Sequence, residues 1–230
     1  MTKEVIQFKY NFVFSQDKKL EFILNFDNKT FELLTTDEPP YPHWTELNYH
    51  RCPNCTLTEE QSKYCPTAVN LSQLIKTFST FVSYETVKLI VETPQRTYIK
   101  DTTLQKALGS LIGIYMATSN CPILSKLRPL VRFHLPVATS EETLFRVISI
   151  YLINQYILYK KGKEPDWELN KLKNLYEDIK IVNKTFCTRI STIVEKDAPL
   201  NAVIVLNCFA EWIHLLSTKP DLNLLEHLLM

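Results

Sequence analysis

The chain has 230 residues, 45% of them hydrophobic, and its 26 basic and 25 acidic side chains leave a formal charge of +1. That is enough apolar material for a soluble core, and the near-neutral balance argues against a broad phosphate-binding face and so against nucleic acid as a partner. Ordinary usage would supply roughly sixteen glycines; the chain has three, Gly109, Gly113 and Gly162, which rules out phosphate loops and dinucleotide fingerprints built on clustered glycine.

Three aromatic and β-branched runs open the sequence, Val5–Phe14, Leu20–Phe26 and Thr30–Leu34, parted by polar turns. They predict an antiparallel meander with one wet face, because Ile6, Phe8, Tyr10 and Phe12 alternate with Gln7, Lys9 and Asn11. Pro39, Pro40 and Pro42 end it. The following cysteine-rich loop, residues 41–66, holds one short helical turn where Thr58 and Gln61 have capping-box spacing. Leu71, Leu74, Ile75, Phe78 and Phe81 then mark one face of a helix over 69–82. Residues 87–91 and 97–100 read as a second hairpin around Pro94, giving a sheet of about five strands.

From Thr102 onward the pattern is helical. Capping-box spacing recurs at Thr102–Gln105 and Thr139–Glu142, and the candidate helices span 103–118, 122–132, 140–160, 167–194 and 199–217. Gly162, just past Lys160 and Lys161, suits a left-handed C-terminal cap. In the fourth helix Leu172, Leu175, Tyr176, Ile179, Val182, Phe186 and Ile190 form one apolar stripe. Strands first and helices after is an α+β signature. The expected architecture is a single domain over 1–230, with an N-terminal antiparallel sheet in 1–100 and a C-terminal α-helical bundle in 101–230. Gly109, Gly113, Ala117 and Cys121 recur every four residues, a small-residue ridge against which a bundle helix or the cysteine loop should lie.

The opening residues Met1–Phe8 contain no apolar signal segment, and the uncharged run 107–125 is interrupted by Ser110, Thr118, Ser119, Asn120 and Pro122. It reads as a core helix running into a turn, so a cytoplasmic protein without a membrane span is expected. Six cysteines in a reducing compartment are then not a disulfide framework.

Cys52-Pro-Asn-Cys55 has the spacing of a metal knuckle, since two cysteines three apart around a turn can aim both sulfurs at one centre. Cys65 lies close enough in sequence to fold back on the same point. Cys121, on a turn before Pro122, is the expected fourth ligand, with His50 and His134 as alternatives. Zinc is the expected metal, and an iron-sulfur cluster on the same cysteines is the alternative. A redox dithiol is weighed against both, but Thr56-Leu57-Thr58 does not open the helix such a site uses. Cys187 and Cys208 sit among apolar helix residues and read as ordinary buried thiols.

Two further constellations carry chemistry. Arg128 and Arg132 share a helix face and could hold an anion bidentately or pair with Glu141 and Glu142; Lys126, His134 and Arg146 complete this basic concentration. Together with His134 they outline an enzyme site for an anionic substrate. Glu211-Trp-Ile-His214 is half of a di-iron motif whose second half the chain lacks.

The runs Arg51-Cys-Pro-Asn-Cys-Thr-Leu57, Cys65-Pro66, Met116-Ala-Thr-Ser-Asn-Cys-Pro122 and Phe133-His-Leu-Pro136 resemble an uncharacterised bacterial family known as a domain of unknown function. The resemblance implies a bacterial cytoplasmic protein in which Cys52, Cys55, Cys65, Cys121 and His134 belong to one motif set. It implies no activity. Taken together, the residues predict a metal-binding module with a structural role, or a redox or sensing protein if the metal is a cluster. Its partner would be a protein or small molecule, and the aromatic sheet offers an edge to a second copy.

Overall fold

The computed structural model describes residues 5–15, 18–34, 39–218 and 226. Four strands, β1 (Val5–Val13), β2 (Lys19–Asp27), β3 (Thr86–Glu92) and β4 (Thr97–Thr103), form one antiparallel sheet in the order β2-β1-β3-β4. Six helices follow or interrupt it: α1 (Pro66–Phe78), α2 (Leu104–Ala117), α3 (Arg128–Arg132), α4 (Ser140–Lys160), α5 (Asn170–Ser191) and α6 (Ala198–Thr218). The fold is mixed α+β with the helices at the C-terminal side.

The alternation read from β1 holds for its inner face. Phe8, Tyr10 and Phe12 are buried, and Phe12 meets Phe22 and Phe78 at ring separations of 5.9 and 5.2 Å, which docks α1 onto the sheet. The expected fifth strand at Thr30–Leu34 is reduced to a single bridge between Phe26 and Leu33. The cause is local. Asp27 Oδ1 accepts from the backbone N–H groups of Lys29 and Thr30, each at 2.9 Å, and Phe31 takes a left-handed φ of 56°, so the chain curls instead of extending.

Helix ends show which sequence patterns became caps. At Thr139 both halves of the box form: the Glu142 N–H donates to Thr139 Oγ1 at 3.1 Å, and the Thr139 N–H to Glu142 Oε2 at 2.7 Å. Gly162, at φ 71°, closes α4 with N–H donation from Gly162 to Tyr159 O and from Lys163 to Leu158 O, a Schellman end. The Thr102–Gln105 spacing makes no such box. Thr102 and Thr103 stay in β4, and the first helical N–H groups of Leu104 and Gln105 go to the carbonyls of Glu85 and Ser83 at 2.7 and 3.0 Å. Backbone acceptors satisfied the donors that a side-chain cap would have taken.

Side-chain clips join the helices. Asp166 accepts from Tyr151 on α4 at 2.6 Å and from the first N–H groups of α5 at Asn170 and Lys171. Asp197 accepts from the N–H and hydroxyl of Ser83 at 2.9 and 2.8 Å, fixing the start of α6 beside the entrance to β3. The small-residue ridge of α2 faces α6, since a Cβ on Gly109 would stand 3.3 Å from Ala202 O and one on Gly113 3.5 Å from Leu206 Cδ2. Residues Ala198–Leu215 of α6 are long and apolar enough, by length and composition, to cross a bilayer, and a third of that window (33%) is buried in the protein.

Candidate functional site

The cysteine loop is held against α5 by one buried arginine. Arg189 is 2% exposed and donates to the carbonyls of Trp44, Glu46, Leu47 and His50 at 2.7, 2.9, 3.4 and 3.3 Å. Asn54, inside the knuckle, donates to the carbonyl and carboxylate of Asp178, both at 3.1 Å. The Cys55 N–H returns to Cys52 O at 3.0 Å, the tight turn expected of Cys-Pro-Asn-Cys. On the other side, Thr67 and Ser119 hydroxyls bond at 2.9 Å, linking the start of α1 after Cys65 to the turn before Cys121.

This framework brings all four predicted cysteines, half-buried and free, into one electrostatic neighbourhood. Burial, and then Cys65, Cys121 and Cys55 in that order, push the Cys52 thiol up to about 12, while Arg189 opposes them. Burial also raises the Cys65 thiol, against the pull of Arg189. As placed, no three His, Cys, Asp or Glu side chains among the described residues make a group that could hold a metal ion. The sulfurs therefore share a neighbourhood without standing at ligand spacing. His50 is exposed and offers the site its carbonyl, not its ring. Burial raises the Cys187 thiol to about 11, and the thiol it interacts with is Cys208 on α6, which is exposed and not buried as expected.

His134 belongs to a second site. A cavity of about 870 Å³ opens between α2, α3 and the three long helices, walled by apolar residues such as Gly113, Leu124, Val131, Phe209 and Ile213. Ser110, His134, Arg146, Tyr176 and Asn183 are its inner polar groups, with Lys100, Asp101 and Lys106 at its exposed edge. His134 Nε2 is hydrogen-bonded to Tyr10 and lies 3.3 Å from Ser110 Oγ. Burial, reinforced by the charge of Arg146, holds its pKa down to about 3. His134 Nε2 is thus shared between Tyr10 and Ser110, a polar contact that ties β1 to α2 and the segment after α3.

Residues 8–229 match the family described as Domain of unknown function (DUF6901). The chain belongs to that family. No curated protein and no solved structure matches it. The DUF6901 match spans the cysteine loop and every wall of the cavity alike.

The anion pair expected at Arg128 and Arg132 is engaged within the protein. In the DUF6901 chain Arg128 pairs with Glu32 at 3.1 Å, rather than with Glu141 or Glu142, and Arg132 donates to Asn28 O at 2.8 Å while its guanidinium stacks 4.5 Å above Phe31. Arg146 is the arginine whose charge reaches His134. His214, the histidine of the half di-iron motif, pairs with Glu177 at 3.1 Å. Arg189 went unread in the sequence, although it stands three residues after Phe186 and seven after Val182, on the buried stripe of α5.

The neutral state of His134 has a measurable consequence. Its folded pKa of about 3 lies below the ordinary 6.5, so between those values the unfolded chain binds a proton that the folded chain refuses. Stability is flat above pH 6.5 on this account and falls with pH below it, by about 2 kcal/mol at pH 5. Denaturant unfolding at pH 7 and pH 5 should show the wild type losing that much more than His134→Gln; equal losses would contradict it.

Proposed function

We propose that the protein is a cytoplasmic metal-binding module in which Cys52, Cys55, Cys65 and Cys121 hold one structural zinc ion. The observation that carries this reading is Arg189. It is a buried, permanently charged side chain that makes no carboxylate ion pair among the described residues, and the thiols of Cys65, Cys52 and Cys55 are the anionisable groups beside it, with Tyr49. Four neutral backbone carbonyls satisfy its N–H groups but not its charge, and an unbalanced buried charge is costly. Four thiolates around Zn²⁺ carry a net charge of about −2, which would supply the missing counter-charge. The donor set is chemically suited to a soft metal.

When bound, the ion would act as a staple joining the loop to the turn after α2, and a closed sphere of four sulfurs leaves no position for substrate. Hydrogen bonds already tie together the segments that carry the cysteines, a framework on which the ion would close. Binding releases the thiol protons.

Metal analysis and an absorption spectrum of protein purified without oxygen test this. About one zinc per chain and no visible colour is the expected result, with zinc lost from Cys121→Ser. Brown protein containing iron and acid-labile sulfide would replace the ion with a cluster. Metal-free protein whose thermal stability is unchanged by added zinc would end both readings.

A further inference from the structure

The cavity beside α5 lies within the roughly 300–1,000 Å³ of small-molecule sites, and its walls are largely apolar. Two buried polar atoms of its lining residues, Thr103 Oγ1 and Arg146 Nε, lack a hydrogen-bond partner. Arg146 gives one N–H to Leu130 O at 2.9 Å, but its Nε is buried and makes no hydrogen bond. Tyr176, 5% exposed, and Asn183, 3% exposed, bring a hydroxyl and an amide to the same lining. Buried polar groups are nearly always paired, so an under-satisfied guanidinium beside a hydroxyl and an amide on one apolar cavity lining points to a missing partner. Their placement is regular: Tyr176 and Asn183 stand seven residues apart on one face of α5, with Ile179 between them, and all three line the cavity.

The electrostatics favour an anion. The carboxylate whose charge reaches Arg146 is that of Glu142, and it is already engaged by the Thr139 N–H in the cap of α4. Tyr10, Tyr98 and Tyr176 are the other groups that interact with the guanidinium. Among the described residues Arg146 is thus the single cation of the interior wall, while Lys100 and Lys106 belong to the exposed edge beside Asp101. One cation in an apolar chamber suits a monoanion better than a dianion.

We infer that this cavity binds an apolar carboxylate of the fatty-acid class. Its carboxylate accepts from Arg146 and the Tyr176 hydroxyl, and its hydrocarbon body lies along Gly113, Phe209 and Ile213. None of the four cysteines lines the chamber, so the inference stands apart from the metal reading.

The test is displacement of a fluorescent fatty acid, cis-parinarate, from the full-length protein by dodecanoate and by 1-dodecanol, which share a tail and differ in head. Dodecanoate should bind at least about tenfold tighter than the alcohol, and Arg146→Met should remove that preference while leaving alcohol affinity unchanged. Equal affinity of the wild type for acid and alcohol, no binding of either, or tighter binding of dodecyl phosphate than of dodecanoate would each overturn the proposal. These comparisons use the wild type alone, so they stand even if the variant does not fold.

Discussion

Arg189→Met will lower the free energy of unfolding by about 4 kcal/mol, read as a urea midpoint about 1.5 M below wild type. Methionine fills much of the volume but donates nothing, and Trp44, Glu46, Leu47 and His50 lose their carbonyl partner at once. Charge-assisted hydrogen bonds are the stronger kind, and buried acceptors stripped of a donor cost more than the bond itself contributed. Lysine is not an equivalent replacement, since a single ammonium lacks the planar fork that reaches several carbonyls together, so Arg189→Lys should recover only part of the loss. A methionine variant within about 1 kcal/mol of wild type would show that the loop is held by something else, with Asn54 and Asp178 the next place to look.

The second large effect belongs to the sheet. Phe12 is fully buried and sits where β1, β2 and α1 meet, opposite Leu20 and Leu89 in its neighbouring strands and against the rings of Phe22 and Phe78. Phe12→Ala removes most of the ring volume from a junction whose two backbones are fixed by the strand ladder, so the void cannot collapse fully. A loss of about 3–5 kcal/mol is expected, against about 1 kcal/mol for Phe12→Leu, which keeps most of the volume. Equal losses in the two variants by denaturant titration would mean that shape at this site matters more than volume.

Local rules made much of this structure readable in advance. The helix over 140–160 was fixed at one end by Thr139 with Glu142 and at the other by Gly162, features that act within a few residues and need no knowledge of the rest of the chain. The fifth strand and the Thr102 cap were misread for the same reason that the others succeeded. Local propensity was outvoted, in one case by the Asp27 turn and in the other by the backbone carbonyls of Glu85 and Ser83. The cysteines were legible as a set because their spacing is local except for Cys121. The cavity was not, because Ser110, His134, Arg146, Tyr176 and Asn183 come from separate helices and turns, and only tertiary packing gives them a common wall. Asn183 and Arg189 each stand beside apolar residues of α5, and a stripe drawn from hydrophobic residues alone leaves out the polar groups that share its buried face.

The passage from β4 into α2 has one more implication. Thr103 ends the strand and Leu104 begins the helix, with no residue between them to absorb a mismatch. Strand register and helical phase are therefore a single variable. A slip of one residue along β3 would carry the start of α2 about 3.4 Å and present the opposite face of the strand to the core. Gly109 and Gly113 would leave their places against Ala202 and Leu206, and the chamber wall would shift with them. Pairing at the sheet edge and the shape of the pocket that β4 and α2 both line are set by the same junction, so the two halves of the chain come into register together or not at all.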